Sequence, residues 1–258
     1  MKVVILAGGL GTRLREETEF LPKPMVQVGE RPILWHIMKS YYHFGHSEFI
    51  ICAGYKGDVI KEYFREFQSE VSDFTVKLGK KFSIEFHDDF IEEDGWKVTV
   101  ADTGLNTMTG GRLFKVRKYV NDEVFMCTYG DGLANVDLKE LLNFHQSHGK
   151  IATVTAVRPV SRFGVLDMEE NGIIKAFREK PQADGWINAG FFVFNRRIFE
   201  YLGENSILEN DPLVELSRDG ELMAYRHNGF WQPMDTYREF VMLNDLWSNN
   251  SAPWKVWK

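Results

Sequence analysis

Cysteine is scarce in this chain: two residues, Cys52 and Cys127, occur in 258. Each sits inside an apolar run, which reads as a buried free thiol and excludes a disulfide framework, so a reducing, cytoplasmic setting is expected. Long hydrophobic runs are missing too. No stretch approaches the roughly 20 apolar residues needed to cross a bilayer, and no charged-then-apolar leader pattern opens the chain, so no membrane partner is expected. Positive charge is not in excess. Thirty-one Lys and Arg face 37 Asp and Glu, for a formal net charge of −6, which argues against a nucleic-acid surface. Repeats, low-complexity tracts and an obvious linker are absent. What remains, with 44% hydrophobic and 26% charged residues, is an ordinary globular composition for one large domain or a domain with a small appendage.

The first 24 residues carry the strongest local signal. Val3 to Leu6 is a short β-branched run ending in glycine, the pattern of a buried parallel strand. Gly8, Gly9 and Gly11 follow, then Arg13 and, farther on, Lys23. Glycines let main-chain N–H groups approach an anion closely. Arg13 can clamp phosphate oxygens through its planar fork, and Lys23 offers a point charge. The spacing does not fit G-x-x-x-x-G-K-[ST], and Leu14 stands where a dinucleotide fingerprint requires its third glycine. A polyphosphate cradle of another kind is the reading; a glycine-rich turn with incidental charges is the plain alternative.

Along the chain, strand and helix patterns alternate. Residues 33–41 carry one apolar helical face after Pro32, stopped near Gly45, and Phe49–Ala53 reads as a second buried strand. Asp58 is expected to cap the next helix. Residues 82–101 alternate like strands with one wet face, with a hairpin expected around Asp94-Gly95. A short helix over 111–120 precedes strand 124–128, and Asp137 with Glu140 resembles a capping box for a helix ending at Gly149. Ala152–Val157 is a further strand. Beyond residue 158 come short extended segments, with turns at Asn171-Gly172 and Asp184-Gly185, and helical stretches near 196–202 and 236–247. The alternation predicts an α/β, Rossmann-like architecture: a mainly parallel mixed sheet flanked by helices, with ligands beyond the carboxyl ends of the strands. The glycine loop and Tyr129-Gly130-Asp131 then share one rim.

LAGGLGTRL followed by PKP resembles the signature of the sugar-nucleotide pyrophosphorylases, which join a nucleoside triphosphate to a sugar 1-phosphate. MTGGRL, TYGDG and FWQPMDT resemble the cytidylyl branch more narrowly, and FREKP, WINAGFF and the ending APWKVWK extend the likeness over nearly the whole chain. The resemblance implies the nucleotide-diphospho-sugar transferase fold in a single domain, 1–258, with a nucleotide-binding half to about residue 150 and a sugar-binding part beyond it. It implies CTP and glucose 1-phosphate as substrates, for deoxysugar and surface-polysaccharide synthesis. Thymidylyl or uridylyl transfer is the neighbouring alternative, and a non-catalytic nucleotide-sugar sensor the alternative from another class. It also implies a homo-oligomer, with a hexamer as the assembly it suggests.

Matched position by position, the resemblance gives Leu6, Ala7, Gly8, Gly9, Leu10, Gly11 and Thr12 to the nucleotide. Arg13 goes to the departing pyrophosphate, Lys23 to the phosphates, and Thr103 and Arg112 to the base or phosphate side. Tyr129, Glu179, Lys180 and Asn188 go to the sugar phosphate, and Asp131 and Asp235 to Mg²⁺. Arg13, Lys23 and Asp131 form the expected catalytic set. Asp131, Asp235 and Lys180 each have a plain counter-reading: a Gly-Asp-Gly turn, a helix N-cap and a surface lysine. His145 and His148 are read as a solvated helix end and His36 and His43 as packing or surface residues. The tryptophan-rich tail suits either a subunit contact or packing on its own domain.

Overall fold

The first apolar run does become a strand, and alternate residues of it face opposite layers. The computed structural model of the protein describes residues 1–87, 93–160 and 163–257. Val3, Ile5 and Ala7 join one buried cluster while Val4 and Leu6 join the other. A strand buried on both faces has no wet side, so its sequence reads as a continuous hydrophobic run.

Among the described residues, seven strands build the central sheet: β1 (Lys2–Ala7), β2 (Glu48–Ala53), β3 (Lys97–Asp102), β4 (Val124–Tyr129), β5 (Ala152–Val157), β6 (Ile187–Asn195) and β7 (Leu222–Arg226). Their spatial order is β7-β5-β6-β4-β1-β2-β3. Only β6 runs antiparallel to its neighbours, β4 and β5; the other pairings are parallel. Strands from both ends of the chain thus share one sheet. The principal helices are α1 (Ile33–His43), α2 (Gly57–Val71), α3 (Thr109–Val116), α4 (Leu138–His148), α5 (Asp211–Arg218) and α6 (Tyr237–Ser248).

Several local expectations need correction. Asp58 lies inside the first turn of α2; the N-cap is Lys56, with φ +47°. Gly95 does turn the chain, with φ +83°, and among the described residues no strand pairs with β3 across it. Ser83–Phe86 pairs instead with the unexpected strand Phe74–Lys77, while β3 joins the main sheet beside β2. Residues 88–92, within the same expectation, lie outside the described residues. Asp137 caps α4 by accepting from the Lys139 and Glu140 amides, but Glu140 accepts the Tyr225 hydroxyl at 3.2 Å. The helix α5 carried too short an apolar pattern to be noticed.

The histidine and tryptophan readings also resolve. His145 is buried, and its Nδ1 meets Thr153 Oγ1 at 2.9 Å, with His148 on the same hydroxyl at 2.8 Å. The pair ties α4 to β5 and is not a solvated helix end. Trp254 is fully buried and Trp257 nearly so, both in this chain's own core, so the tail packs back rather than offering a subunit face. His36 is the hinge pin of that packing. In the tautomer protonated on Nε2, it donates to Val28 O at 2.8 Å and accepts Trp254 Nε1–H on Nδ1 at 3.4 Å. Trp247 and Trp35 close on it edge to face.

A protonated His36 would set two donors against each other, and burial already pushes its pKa down to about 4. Burial lowers those of His46, His145, His148 and His227 as well. The unfolded chain takes up these protons near pH 6.5 and the folded chain resists them, so stability is full above that pH and is lost as it falls toward 4. His36 alone accounts for on the order of 3 kcal/mol once fully expressed. Urea unfolding at pH 7.5 and near pH 5 is expected to show a clear fall in midpoint that His36→Gln flattens. A midpoint independent of pH over that window would contradict the buried neutral ring.

Candidate active site

A cleft of about 520 Å³ opens at the carboxyl ends of β1 and β4. Leu6 to Arg13 form its floor; Leu105 to Thr109 with Arg112 form one wall; Lys23, Pro24 and Tyr129 to Asp131 form the other. The glycine loop and the Tyr129-Gly130-Asp131 segment therefore do share a rim. They are tied there by Gly130 N donating to Leu6 O at 3.0 Å.

The loop is shaped from both sides. Gly11 takes φ +64°, and the turn beyond it is closed by Thr18 Oγ1, which donates to Leu14 O at 2.7 Å with Gly11 O beside it at 3.0 Å. Behind Gly8 stands Arg112. A Cβ at Gly8 would fall 2.1 Å from Arg112 Nη1, so only glycine lets the guanidinium sit there. That guanidinium is buried and spends its donors on protein. Nη1 reaches Thr103 Oγ1 at 2.6 Å and Gly104 O at 2.8 Å; Nη2 reaches Gly8 O at 2.8 Å and Leu105 O at 3.2 Å. Arg112 lines the cleft, but as the clamp that fixes floor to wall. Thr103, itself buried and donating to Ala53 O at 2.6 Å, lies beneath the wall and supports Arg112.

On the opposite side the charges converge. Lys23 enters on the helical turn Lys23–Met25 and is only 8% exposed. Its Nζ donates to Asp131 Oδ2 and to Asp235 Oδ1, both at 2.6 Å, and Arg13 Nη1 meets Asp235 Oδ2 at 2.9 Å. Burial pulls the Lys23 pKa down, but Asp131 and Asp235 outweigh it and hold it above the ordinary lysine value. The amine stays charged. Strand register brings the two aspartates together: Trp231–Pro233 pairs antiparallel with Gly132–Ala134, and Met234 N donates to Asp131 O at 2.8 Å.

Asp235 is not the N-cap of α6. Thr236 is, in a capping box with Glu239, whose carboxylate accepts the amides of both Asp235 and Thr236 at 2.8 and 2.9 Å. That leaves the Asp235 side chain for the cations. Thr-x-x-Glu at 236–239 was the sequence signal that separates the two roles.

The four charges of Arg13, Lys23, Asp131 and Asp235 sum to zero. A triphosphate entering this neutral cluster brings several negative charges, which calls for an added cation. Asp131 and Asp235 already focus two hard oxygen donors on one positive group, and among the described residues no third carboxylate, His or Cys joins them. Two carboxylates completed by phosphate oxygens and water suit Mg²⁺, so the residues present fit that ion.

The remaining expected residues divide. Tyr129 lines the cleft and receives Asn188 Nδ2 at 3.4 Å on its hydroxyl. Glu179 and Lys180 do not reach the cleft; exposed, they pair with each other at 3.6 Å on the turn after the strand Ile174–Arg178. Two features escaped the sequence reading. One is the wall from Leu105 to Thr109. The other is Glu209, which receives the hydroxyls of both Tyr129 and Thr109 and sits in a loop without periodic pattern.

The model of the nucleotidyl transferase family matches residues 2–232. The chain belongs to the nucleotidyl transferase family. It is 52% identical over 261 aligned residues to the glucose-1-phosphate cytidylyltransferase of Salmonella typhi, covering all of both chains. It is 30% identical to the mannose-1-phosphate guanylyltransferase catalytic subunit beta of Drosophila melanogaster, over 93% of this chain and 61% of that one. Among solved structures, HddC from Yersinia pseudotuberculosis superposes with TM-score 0.69 at 23% identity, over 95% of this chain and 99% of the other, and shares the fold. The protein is thus a nucleotidyltransferase, with the mainly parallel sheet of that fold.

In such a nucleotidyltransferase the Arg112 clamp has a measurable consequence. Arg112→Lys keeps the charge but lacks the fork that reaches five oxygens at once. It is expected to weaken nucleotide binding roughly tenfold and to lower the melting midpoint. A nucleotide titration followed by a thermal melt checks both, and wild-type values in the variant would contradict the clamp.

Proposed function

We propose that the protein transfers a cytidylyl group from CTP to α-D-glucose 1-phosphate, giving CDP-glucose and pyrophosphate. The observation that carries this reading is the full-length 52% identity to a glucose-1-phosphate cytidylyltransferase. The converging charges beside the glycine loop give it a mechanism.

In this reading a sugar-phosphate oxygen, already ionised at neutral pH, attacks the α-phosphorus in line and pyrophosphate departs. No enzyme base is needed; the protein's work is positioning and neutralisation. The backbone from Leu6 to Gly11 contacts the nucleotide, the N–H groups beyond the strand, from Gly8 to Gly11, cradling its phosphates. Lys23 holds phosphate oxygens near the reacting phosphorus, and the exposed Arg13 follows the leaving pyrophosphate. Asp131 and Asp235 would hold Mg²⁺, which when bound supplies charge neutralisation between the nucleotide phosphates. Tyr129 and Asn188 take sugar hydroxyls. We keep Glu179 and Lys180 as sugar-phosphate ligands, which requires their hairpin to approach Tyr129 when substrate is bound. The part of the chain before about residue 150 then serves chiefly the nucleotide and the part after it chiefly the sugar, with Tyr129 lent to the sugar and Asp235 to the metal. The buried free thiols of Cys52 and Cys127 support a cytoplasmic setting.

The partner of the protein is, in the same proposal, its own copy. Leu78 and Phe82, at the tip of the hairpin formed by Phe74–Lys77 and Ser83–Phe86, are 80% and 64% exposed, and Phe177 is 62% exposed. Large apolar side chains left this exposed suit association surfaces. Light scattering is expected to give a mass several times 29.9 kDa, a hexamer being the assembly the resemblance suggests; a monomer at micromolar concentration would contradict it.

Pyrophosphate release with glucose 1-phosphate and Mg²⁺, run separately with CTP, dTTP, UTP, GTP and ATP, tests the chemistry. CTP is expected to give by far the largest kcat/KM, and chelation of divalent cations to abolish turnover. Preference for another nucleotide would contradict the cytidylyl assignment.

A further inference from the structure

One carboxylate stands behind the cleft and touches two of its hydroxyls at once. Glu209 accepts the Tyr129 hydroxyl on Oε1 and the Thr109 hydroxyl on Oε2, the latter at 2.6 Å. Tyr129 and Thr109 both line the cleft, one at the end of β4 and the other at the start of α3. A hydroxyl has a single proton and two lone pairs. With both protons committed to Glu209, neither side chain has a donor left for substrate.

The oxygens are fixed as well as stripped of free donors. Thr109 Oγ1 accepts the Leu208 amide at 3.0 Å, and Tyr129 Oη receives Asn188 Nδ2 at 3.4 Å. The Tyr129 ring is held by Gly190, whose φ of +81° places an added Cβ 2.3 Å from a ring carbon. Burial, and after it the Glu209 charge, hold the phenol pKa above its usual value, so the ring stays neutral.

We propose that Glu209 is a positioning residue that turns Tyr129 and Thr109 into a wall of hydrogen-bond acceptors, which takes the hydroxyls of the sugar and turns phosphate oxygens away. Ionised phosphate oxygens only accept, so against this wall they find no donor; sugar hydroxyls do donate. The wall and the Lys23–Arg13 side therefore sort the two ends of a sugar phosphate by polarity and fix which way it enters. This rests on the glucose 1-phosphate reading above, and assigns Glu209 a part in it.

Steady-state kinetics separate this role from plain support. Glu209→Gln keeps the shape but offers one donor and one acceptor, so one of the two hydroxyls must turn its proton toward the substrate. It is expected to raise KM for glucose 1-phosphate roughly tenfold, the order of one lost hydrogen bond, with KM for CTP within about twofold and the melting midpoint close to wild type. Tyr129→Phe is expected to give the same signature, and the double variant Glu209→Gln/Tyr129→Phe little more than either alone. Across a panel of monodeoxy glucose 1-phosphates, the wild type should penalise loss of a particular hydroxyl and the variants should not.

Equal rises in both KM values, additive losses, or an unchanged KM for glucose 1-phosphate in an otherwise active enzyme would overturn the wall alone. A wild type that turns over no sugar 1-phosphate would overturn the substrate reading and the wall with it. If Glu209→Gln fails to fold, Thr109→Val and Tyr129→Phe leave the carboxylate in place and carry the same expected KM split.

Discussion

The Lys23 ammonium, held at 2.6 Å by two aspartates, is the contact on which the site depends. It joins three segments distant in sequence: the turn after the glycine loop, the end of β4 and the strand before α6. A buried ammonium is costly unless paired, and two carboxylates this close to each other repel unless a cation separates them. Each group therefore makes the others tolerable. Removing one partner would leave an uncompensated charge in a partly buried place, the expensive case among ion pairs.

The surroundings serve that contact. The pairing of Trp231–Pro233 with Gly132–Ala134 sets the register that brings Asp235 to Asp131. Glu239 absorbs the backbone donors of Asp235 and Thr236, freeing the aspartate side chain to face the cations. Across the cleft, Arg112 performs the same service with opposite charge. It satisfies carbonyls of the glycine loop and the facing wall, so the loop keeps its N–H groups for a ligand. The fold positions a neutral cluster of strong charges opposite a glycine loop whose amides from Gly8 to Arg13 find no backbone acceptor among the described residues. A polyphosphate fits between them when an extra cation accompanies it.

Much of the scaffold was legible because buried parallel strands are written as short apolar runs. Ala152–Val157 and the strand at 124 were plain, and so was α1 with its single apolar face. The glycine loop was legible because glycine, arginine and lysine at that spacing have few other uses. Long-range pairing was not legible. Nothing local in Asp131 or Asp235 says that they meet; only the register of two three-residue strands does. Arg112 looked like a ligand-facing cation because sequence carries no burial for a lone arginine, and its reach to the carbonyls of Gly8, Ala53, Gly104 and Leu105 is visible only in three dimensions. Glu209 lies in an irregular loop and gave no signal. The strand Phe74–Lys77 was hidden by the polar residues around it, and the tryptophan tail was ambiguous because an apolar end suits a core or an interface equally.

Manganese binding followed by electron paramagnetic resonance tests the centre most directly, since Mn²⁺ occupies the same oxygen sites as Mg²⁺ and its free and bound forms are distinguished in the spectrum. Titrations with CTP present would compare the wild type with Asp131→Asn/Asp235→Asn, after circular dichroism shows that the double variant is folded. The account predicts tight, CTP-dependent Mn²⁺ binding in the wild type and binding no better than that of free Mn²⁺–CTP in the variant. Wild-type binding by the folded double variant would contradict it.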